Sequence, residues 1–261
     1  MALSQGEKAE AFRALHDGDA FVIPNPWDLG SVRVLEALGY RALATTSSGF
    51  ALTLGRKDGQ TTLDEVAAHV RALADGTDLP VSVDLENGYG ARPEDAAHAI
   101  ARAAEAGAAG GSIEDWDPEG GIYPIDQAAE RVAAAAEAAR ATGSPFVLTG
   151  RAENHIRGNP DLDDTIARLR AYEEAGADVL YAPGLGSADE VRRVCEAVSG
   201  PVNVLAHPGF ASVAEIAEAG ARRISVGGAL AFVAYGAAAA AAKELAQGDL
   251  SVLKPQVRLA L

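Results

Sequence analysis

VSVDLENGYG, Val81–Gly90, opens as an apolar run of strand length and then meets two acids, Asp84 and Glu86. Two later runs stop the same way, GGSIED at Gly110–Asp115 and VLTGRAE at Val147–Glu153. A buried strand does not finish in carboxylates unless those side chains have partners. Side chains two apart on a strand share a face, so the spacing predicts that Asp84 and Glu86 point together, and that Arg151 and Glu153 do likewise. At the carboxyl ends of neighbouring parallel strands such acids converge on one rim, where several negative charges coexist only around a cation or a cationic substrate. Arg151 puts a planar, bidentate fork beside them, which suits an anionic substrate.

Outward from these runs, apolar stretches alternate with amphipathic helical patterns along the whole chain. Strands are expected at Phe21–Pro24, Ala42–Thr46, Val81–Glu86, Gly111–Glu114, Phe146–Thr149, Val179–Ala182, Val202–Leu205 and Ile224–Val226. Each is followed by a helical pattern, from Gly30–Leu38 after the first to Ala229–Ala246 after the last. Such alternation implies a parallel sheet, and eight units in 261 residues fit an α/β fold, a closed (β/α)8 TIM barrel. A weak repeat agrees: EAxG or EAG recurs at Glu36–Gly39, Glu105–Gly107, Glu174–Gly176 and Glu218–Gly220, the first two intervals being 69 residues each. Glycine there suits the left-handed residue that ends a helix, although alanine-rich helices often end in AG without any repeat. No low-complexity linker divides the chain, so one domain over residues 1–261 is expected, with a C-terminal helical extension over about 229–261.

Composition excludes some partners. A net charge of −15 argues against nucleic acid and anionic membranes, which need clustered Lys and Arg. Any attraction for a small anion must then be local, from a metal and an arginine. The single cysteine, Cys195, excludes an internal disulfide and sits in the helical run DEVRRVCEAV, where a packed thiol is expected. MALSQGEKAEAFRAL carries acid and lacks an apolar core of signal-peptide length, and the apolar run Gly227–Ala242 is short of the roughly 20 residues that cross a bilayer. A soluble cytoplasmic protein is expected.

Within VDLENGYG, the acids match a hard cation such as Mg²⁺, which is held through one or two carboxylates plus waters and substrate oxygens. The plainer alternative is a loop of helix-capping acids. In SIEDW, Glu114 and Asp115 face opposite sides of a strand; Glu114 shares the inward face with Ser112, leaving Asp115 to bind backbone or an arginine in the surrounding loops. In GRAENH, Arg151 could hold a substrate carboxylate while Glu153 orients it or takes a metal-bound water, the alternative being a structural Arg–Glu pair. TTSSGF, Thr45–Phe50, reads as a small-residue loop whose backbone N–H groups could hold a carboxylate or an enolate oxygen. His16, His69 and His98 lie in helical patterns and are expected at the surface; His155, Asn203 and His207 have no role readable from sequence.

Together these motifs resemble the isocitrate lyase / phosphoenolpyruvate mutase superfamily, from NPWDLGSVRVLEALGYRALATTSSGF (Asn25–Phe50) to the final helix. The resemblance implies a (β/α)8 barrel that exchanges a C-terminal helix within a homodimer or homotetramer. It implies Mg²⁺ (or Mn²⁺) holding a pyruvate-like unit whose enolate is stabilised while a C–C or P–C bond breaks or forms. Asp84 would be the direct metal ligand, with Glu86 and Glu114 acting mostly through metal-bound waters. The backbone of Ser48, Gly49 and Phe50, with Arg151, would hold carboxylate and enolate oxygens, and Asp58 in LGRKDGQ would border the substrate. On this reading Arg151, Asp58 and Glu114 are the catalytic set.

Two departures limit it. The family's lyases carry a lysine-lysine-cysteine-glycine-histidine loop after the fourth strand, with the cysteine as general acid, and its mutases place lysine and asparagine there. Here the region is DWDPEGGIYP, Asp115–Pro124, with neither lysine nor cysteine. After the sixth strand, where the family often has histidine or glutamate, YAPG has Pro183. The expected function is a Mg²⁺-dependent lyase acting on a small anionic α-keto or 2-hydroxy acid. The alternatives are a P–C mutase or hydrolase, and a barrel that binds a dicarboxylate without catalysis.

Overall fold

The structure is a computed structural model that describes residues 3–254. Helix α1 (Gln5–Asp17) leads into β1 (Phe21–Ile23), α2 (Leu29–Ala37), β2 (Leu43–Ala44), α3 (Ser47–Thr53) and α4 (Leu63–Asp75). Then come β3 (Val81–Asp84), α5 (Pro93–Glu105), β4 (Gly110–Glu114), the short pair β5 (Trp116–Asp117) and β6 (Gly121–Ile122), and α6 (Ile125–Ala141). The second half runs β7 (Val147–Arg151), α7 (Leu162–Glu174), β8 (Val179–Tyr181), α8 (Ala188–Ala197), β9 (Val202–Leu205), α9 (Val213–Glu218), β10 (Arg223–Ser225) and α10 (Ala229–Leu245).

Eight strands form one parallel sheet in the order β1-β10-β9-β8-β7-β4-β3-β2. Its two ends nearly meet: Ala44 N donates to Pro24 O at 3.1 Å, and the Asn25 amide donates to the carbonyls of Ala44 at 3.0 Å and Thr45 at 3.1 Å. The (β/α)8 barrel expected from the alternation is therefore present. The repeat glycines do what a helix end requires, since Gly39, Gly107, Gly176 and Gly220 all have φ between +84° and +107°.

Helix α1, not foreseen as an element, covers the amino-terminal end of the barrel, packing Ala9 and Phe12 against Phe21, Val147 and Val179, which open three strands. His16, expected at the surface, is buried there between the rings of Phe12 and Phe21 at centroid distances of 4.9 and 5.3 Å. The face it occupies looks into the barrel floor. His69 is also withdrawn from the surface, stacked on Phe50 at 3.9 Å, whereas His98 is exposed.

Helix α10 departs from the rule that an all-round apolar helix is buried. In the single chain only Ala231 of this helix is buried, while Phe232, Val233, Tyr235 and Leu245 are exposed. Of the C-terminal extension over 229–261, Val257 and Leu259 lie outside the described residues. No helix of the described residues is long and apolar enough to cross a membrane.

Candidate active site

The three acid-terminated runs are neighbouring strands β3, β4 and β7, in register so that Asp84 pairs with Ser112 and Glu114 with Arg151. Their ends meet at Arg151. Its Nη1 lies 3.7 Å from Asp84 Oδ2 and 3.3 Å from Glu114 Oε2, and its Nε donates to Glu153 Oε1 at 2.5 Å. Burial opposes this charge, but the surrounding carboxylates hold the guanidinium pKa well above its usual value.

Glu86 reaches the same cluster by a route the strand pattern did not anticipate. β3 ends at Asp84, and Glu86 has φ +50°, so the strict alternation of faces stops before it. Tyr89 follows at φ +63°. Left-handed backbone at two non-glycine residues is strain, which clusters at functional sites. The bend lets the Tyr89 hydroxyl donate to Glu86 Oε1 at 3.3 Å and the Thr61 hydroxyl at 3.4 Å. Burial, then the charges of Asp84 and Asp58, pushes the Glu86 carboxyl up to about 7. Burial likewise raises Asp58 and, more strongly, Glu114, where Arg151 opposes it and Glu153 and Asp84 reinforce it. The capping alternative for these acids is not met, because at the start of helix α5 it is Asp95 that accepts, from Arg92 N at 2.9 Å.

The neighbouring acids divide as the strand geometry required. Glu114 faces the rim, while Asp115 turns outward and is buried, accepting from Glu153 N at 2.7 Å, Arg168 Nη1 at 3.0 Å and the Tyr172 hydroxyl. Arg168 comes from helix α7 rather than from a loop. Glu153, fully buried, also accepts from Arg157 Nε at 2.9 Å. Arg157, which no sequence pattern singled out, stacks over Trp116 at 4.5 Å and approaches Glu114 at 3.7 Å. A signal was absent because Arg157 lies in a segment without regular structure, four residues past Glu153.

TTSSGF is a helix start rather than a loop. Thr46 caps α3 and takes Gly49 N at 3.3 Å, and Phe50 N donates to Thr46 O at 3.0 Å. The N–H groups of Gly49 and Phe50 are thus engaged inside the helix, and Phe50 is turned to the core. Thr45, Thr46, Ser47 and Ser48 line the cavity, with Ser47 N lying 3.4 Å from Asp84 Oδ2. Gly49 is required for packing: a Cβ there would stand 2.5 Å from Thr46 Cγ2.

Two adjoining cavities of about 200 and about 210 Å³ open at this end and share Ser47, Asp58 and Arg151 on their walls. Asp84 lines the first, and Glu86 and Glu114 line the second. His155 lines neither; its Nδ1 is 2.8 Å from Thr165 Oγ1. His207 is exposed and stacks on Phe210. Cys195 is part of the wall between α8 and the α9–β10 turn, its Cβ 2.9 Å from where a Cβ on Gly220 would be.

The donor set fits a hard dication. Neither cavity is lined by histidine or cysteine, the acids on their walls are the carboxylates of Asp58, Asp84, Glu86 and Glu114, and such gathered negative charge is what Mg²⁺ or Mn²⁺ neutralises. Among the described residues no three acidic, histidine or cysteine side chains gather as a ready metal cage. That suits an ion taking one or two carboxylates and completing its shell with waters.

A (β/α)8 barrel with acids and an arginine at the carboxyl-end rim defines the class. The chain belongs to the phosphoenolpyruvate phosphomutase family, whose family model matches residues 12–246, and so to the isocitrate lyase / phosphoenolpyruvate mutase superfamily. It is similar to the 2-methylisocitrate lyase of Halalkalibacterium halodurans, 31% identical over 207 residues that cover 76% of this chain and 67% of that one. The oxaloacetate decarboxylase of Bradyrhizobium sp. is 30% identical over 227 residues, covering 84% and 77%. Among solved structures, a candidate lyase/mutase from Burkholderia cenocepacia J2315 superposes with a TM-score of 0.95 at 50% identity, covering 97% of this chain and 94% of that one.

Proposed function

We propose that the chain is a Mg²⁺-dependent lyase that cleaves a C–C bond next to the carbonyl or hydroxyl carbon of a short α-keto or 2-hydroxy acid, through an enolate. The observation that carries this is the convergence of Arg151 on Asp84 and Glu114 at the mouth of a cavity. Asp84 would hold the ion directly, with Glu86 and Glu114 reaching it through waters. When bound, the ion supplies a Lewis acid for the substrate oxygens. Arg151 binds the substrate carboxylate as a fork and offers positive charge to the oxygen on which the electron pair of the broken bond comes to rest. Glu153 holds Arg151 at its Nε, leaving the Nη groups turned to the cavity. Ser48 contributes its hydroxyl, already 3.1 Å from Thr46 Oγ1, and Asp58 borders the substrate.

Two features favour C–C over P–C chemistry. The β5–β6 hairpin beside the rim carries Asp117 and Glu119 and no lysine, an unfavourable neighbourhood for a phosphoryl group. The relatives with printed activities include lyases and a decarboxylase of small organic acids. Exposed apolar side chains of α10 further support assembly into a homodimer or homotetramer. The test is a screen of α-keto and 2-hydroxy acids with and without Mg²⁺, reading released pyruvate, glyoxylate, CO₂ and phosphate. Mg²⁺-dependent release of a keto acid or CO₂, lost in Asp84→Asn, is expected; phosphate from a phosphonate substrate instead would overturn the assignment.

A further inference from the structure

The barrel interior is unusual in what fills it. Interiors of this architecture are packed by bulky branched side chains, whereas here Ser82, Ser112, Asn203 and Ser225 line the first cavity, and Arg223 stands on its wall. Arg223 is 5% exposed, and among the described residues no carboxylate lies within ion-pair distance of it. Its partners are all neutral: Nε donates to Asn203 Oδ1 at 2.9 Å, Nη2 to Thr149 Oγ1 at 2.8 Å, and Nη1 is 3.4 Å from His16 Nε2. His16 Nδ1 is 2.9 Å from Phe12 O, so that nitrogen carries the proton and Nε2 accepts. Burial and Arg223 itself hold the imidazole pKa down to about 3, so His16 brings no charge of either sign. Burial lowers Arg223 only to about 10, which leaves it cationic at neutral pH.

A guanidinium has five N–H groups, and the three contacts above account for three. A buried charge without a counter-ion is costly. In a chain of net charge −15, acids were available to pair it. Register shows where the missing anion fits. Arg151, Tyr181, Asn203 and Arg223 are successive Cα partners across β7, β8, β9 and β10. At a strand spacing of about 4.8 Å the two arginine Cα atoms are at most about 14 Å apart along the wall, and both side chains reach into the same cavity. Between them Tyr181 places its ring 5.2 Å from the Arg151 guanidinium and its hydroxyl against Ser225.

We infer that Arg223 is the second anion site of this cavity and takes the distal carboxylate of a short dicarboxylate whose first carboxylate is held by Arg151. Asn203 and Thr149 are its positioning residues, fixing the guanidinium plane from two sides. The inference rests on the rim assignment made above and adds to it a residue that selects the far end of the substrate.

Calorimetry on the full-length protein with Mg²⁺ tests it with three probes: oxalate for the rim, malate for both sites, and 2-hydroxybutyrate as the near-isostere without the second carboxylate. Wild type should bind malate at least about tenfold more tightly than 2-hydroxybutyrate, the scale of one charge-assisted hydrogen bond. Arg223→Met should abolish that preference and leave oxalate within about twofold, while Arg223→Lys should keep part of it. Equal affinity of wild type for malate and 2-hydroxybutyrate overturns the inference without any variant, so a failure of Arg223→Met to fold does not rescue it. Oxalate binding normally with no malate preference removes the Arg223 assignment alone. Absence of oxalate binding to wild type removes the rim assignment and this one with it. A loss of oxalate and malate in equal measure in folded Arg223→Met assigns Arg223 a structural role and overturns the inference.

Discussion

Arg151 Nε and Glu153 Oε1 lie 2.5 Å apart, two residues from each other at the end of one strand, with the glutamate fully buried. The same carboxylate holds Arg157 Nε at 2.9 Å, so one acid orients two arginines above the cavity. Glu153→Gln keeps the shape and removes the charge. We expect kcat/KM to fall by about 10–100-fold, the usual cost of losing a partner that orients a site group, with oxalate affinity falling in parallel. Unchanged oxalate affinity by calorimetry would show that Glu153 does not position Arg151.

Asp84 is the acid best placed for direct contact with a cation, at the last position of β3 and on the wall of the first cavity. In Asp84→Asn, Mg²⁺-dependent oxalate binding should drop more than about 100-fold, beyond what loss of an outer partner alone produces. Glu86→Gln should fall short of that, since Glu86 lines only the neighbouring cavity. Equal losses in both variants would mean that both carboxylates ligate the ion.

Much of this site was legible because strand geometry forces it. Asp84, Glu114 and Arg151 end neighbouring strands, and a parallel barrel gathers such ends whatever the side chains are. What failed were inferences needing backbone detail: the left-handed turn at Glu86, which breaks strand alternation, and the cap at Thr46, which consumes the N–H groups of Gly49 and Phe50. Arg157 and Arg223 carry no local pattern. Their significance comes from partners 4 to 207 positions away along the chain, and only folding brings those together.

His16 makes acid stability testable. Its folded pKa is lowered to about 3 by burial and by Arg223, from 6.5. The unfolded chain therefore binds a proton that the folded chain refuses, and stability is lost as pH falls from 6.5 toward 3. At pH 5 this single group costs about 2 kcal/mol. His16→Gln keeps an acceptor for Arg223 and does not titrate, so its unfolding free energy should decline less between pH 7 and pH 5 than that of wild type. Parallel declines in urea melts would show that His16 is accessible or paired differently.

Cys195 is half-buried on α8, and burial pushes its thiol up to about 11, where no reactive thiolate forms at neutral pH. Cys195→Ser should retain most activity, with at most a small loss of stability from the polar replacement. Loss of a factor of about a thousand, the scale of a missing acid–base group, would place the proton donor on this residue.

Helix α10 presents the clearest unmet requirement of the single chain. Phe232 is 56% exposed and Val233 68%, and beyond the helix Leu250 is 68% exposed. Full burial of each such side chain is worth roughly 1.5–3 kcal/mol, so a partner covering several of them gains enough to offset the ordering it demands. At its first turn α10 backs onto the site, where a Cβ on Gly228 would stand 2.5 Å from Ser48 Oγ, so assembly and cavity share a wall. The test must therefore act farther along the helix. Val233→Asp, and separately removal of Leu250–Leu261, should lower the sedimenting mass at micromolar concentration while leaving Mg²⁺–oxalate binding within about twofold. If the oligomer dissociates and binding is lost together at every protein concentration, the neighbouring subunit completes the site. A wild-type protein that sediments as a monomer would show that α10 is exposed by nature, its many alanines presenting too little apolar area to drive association.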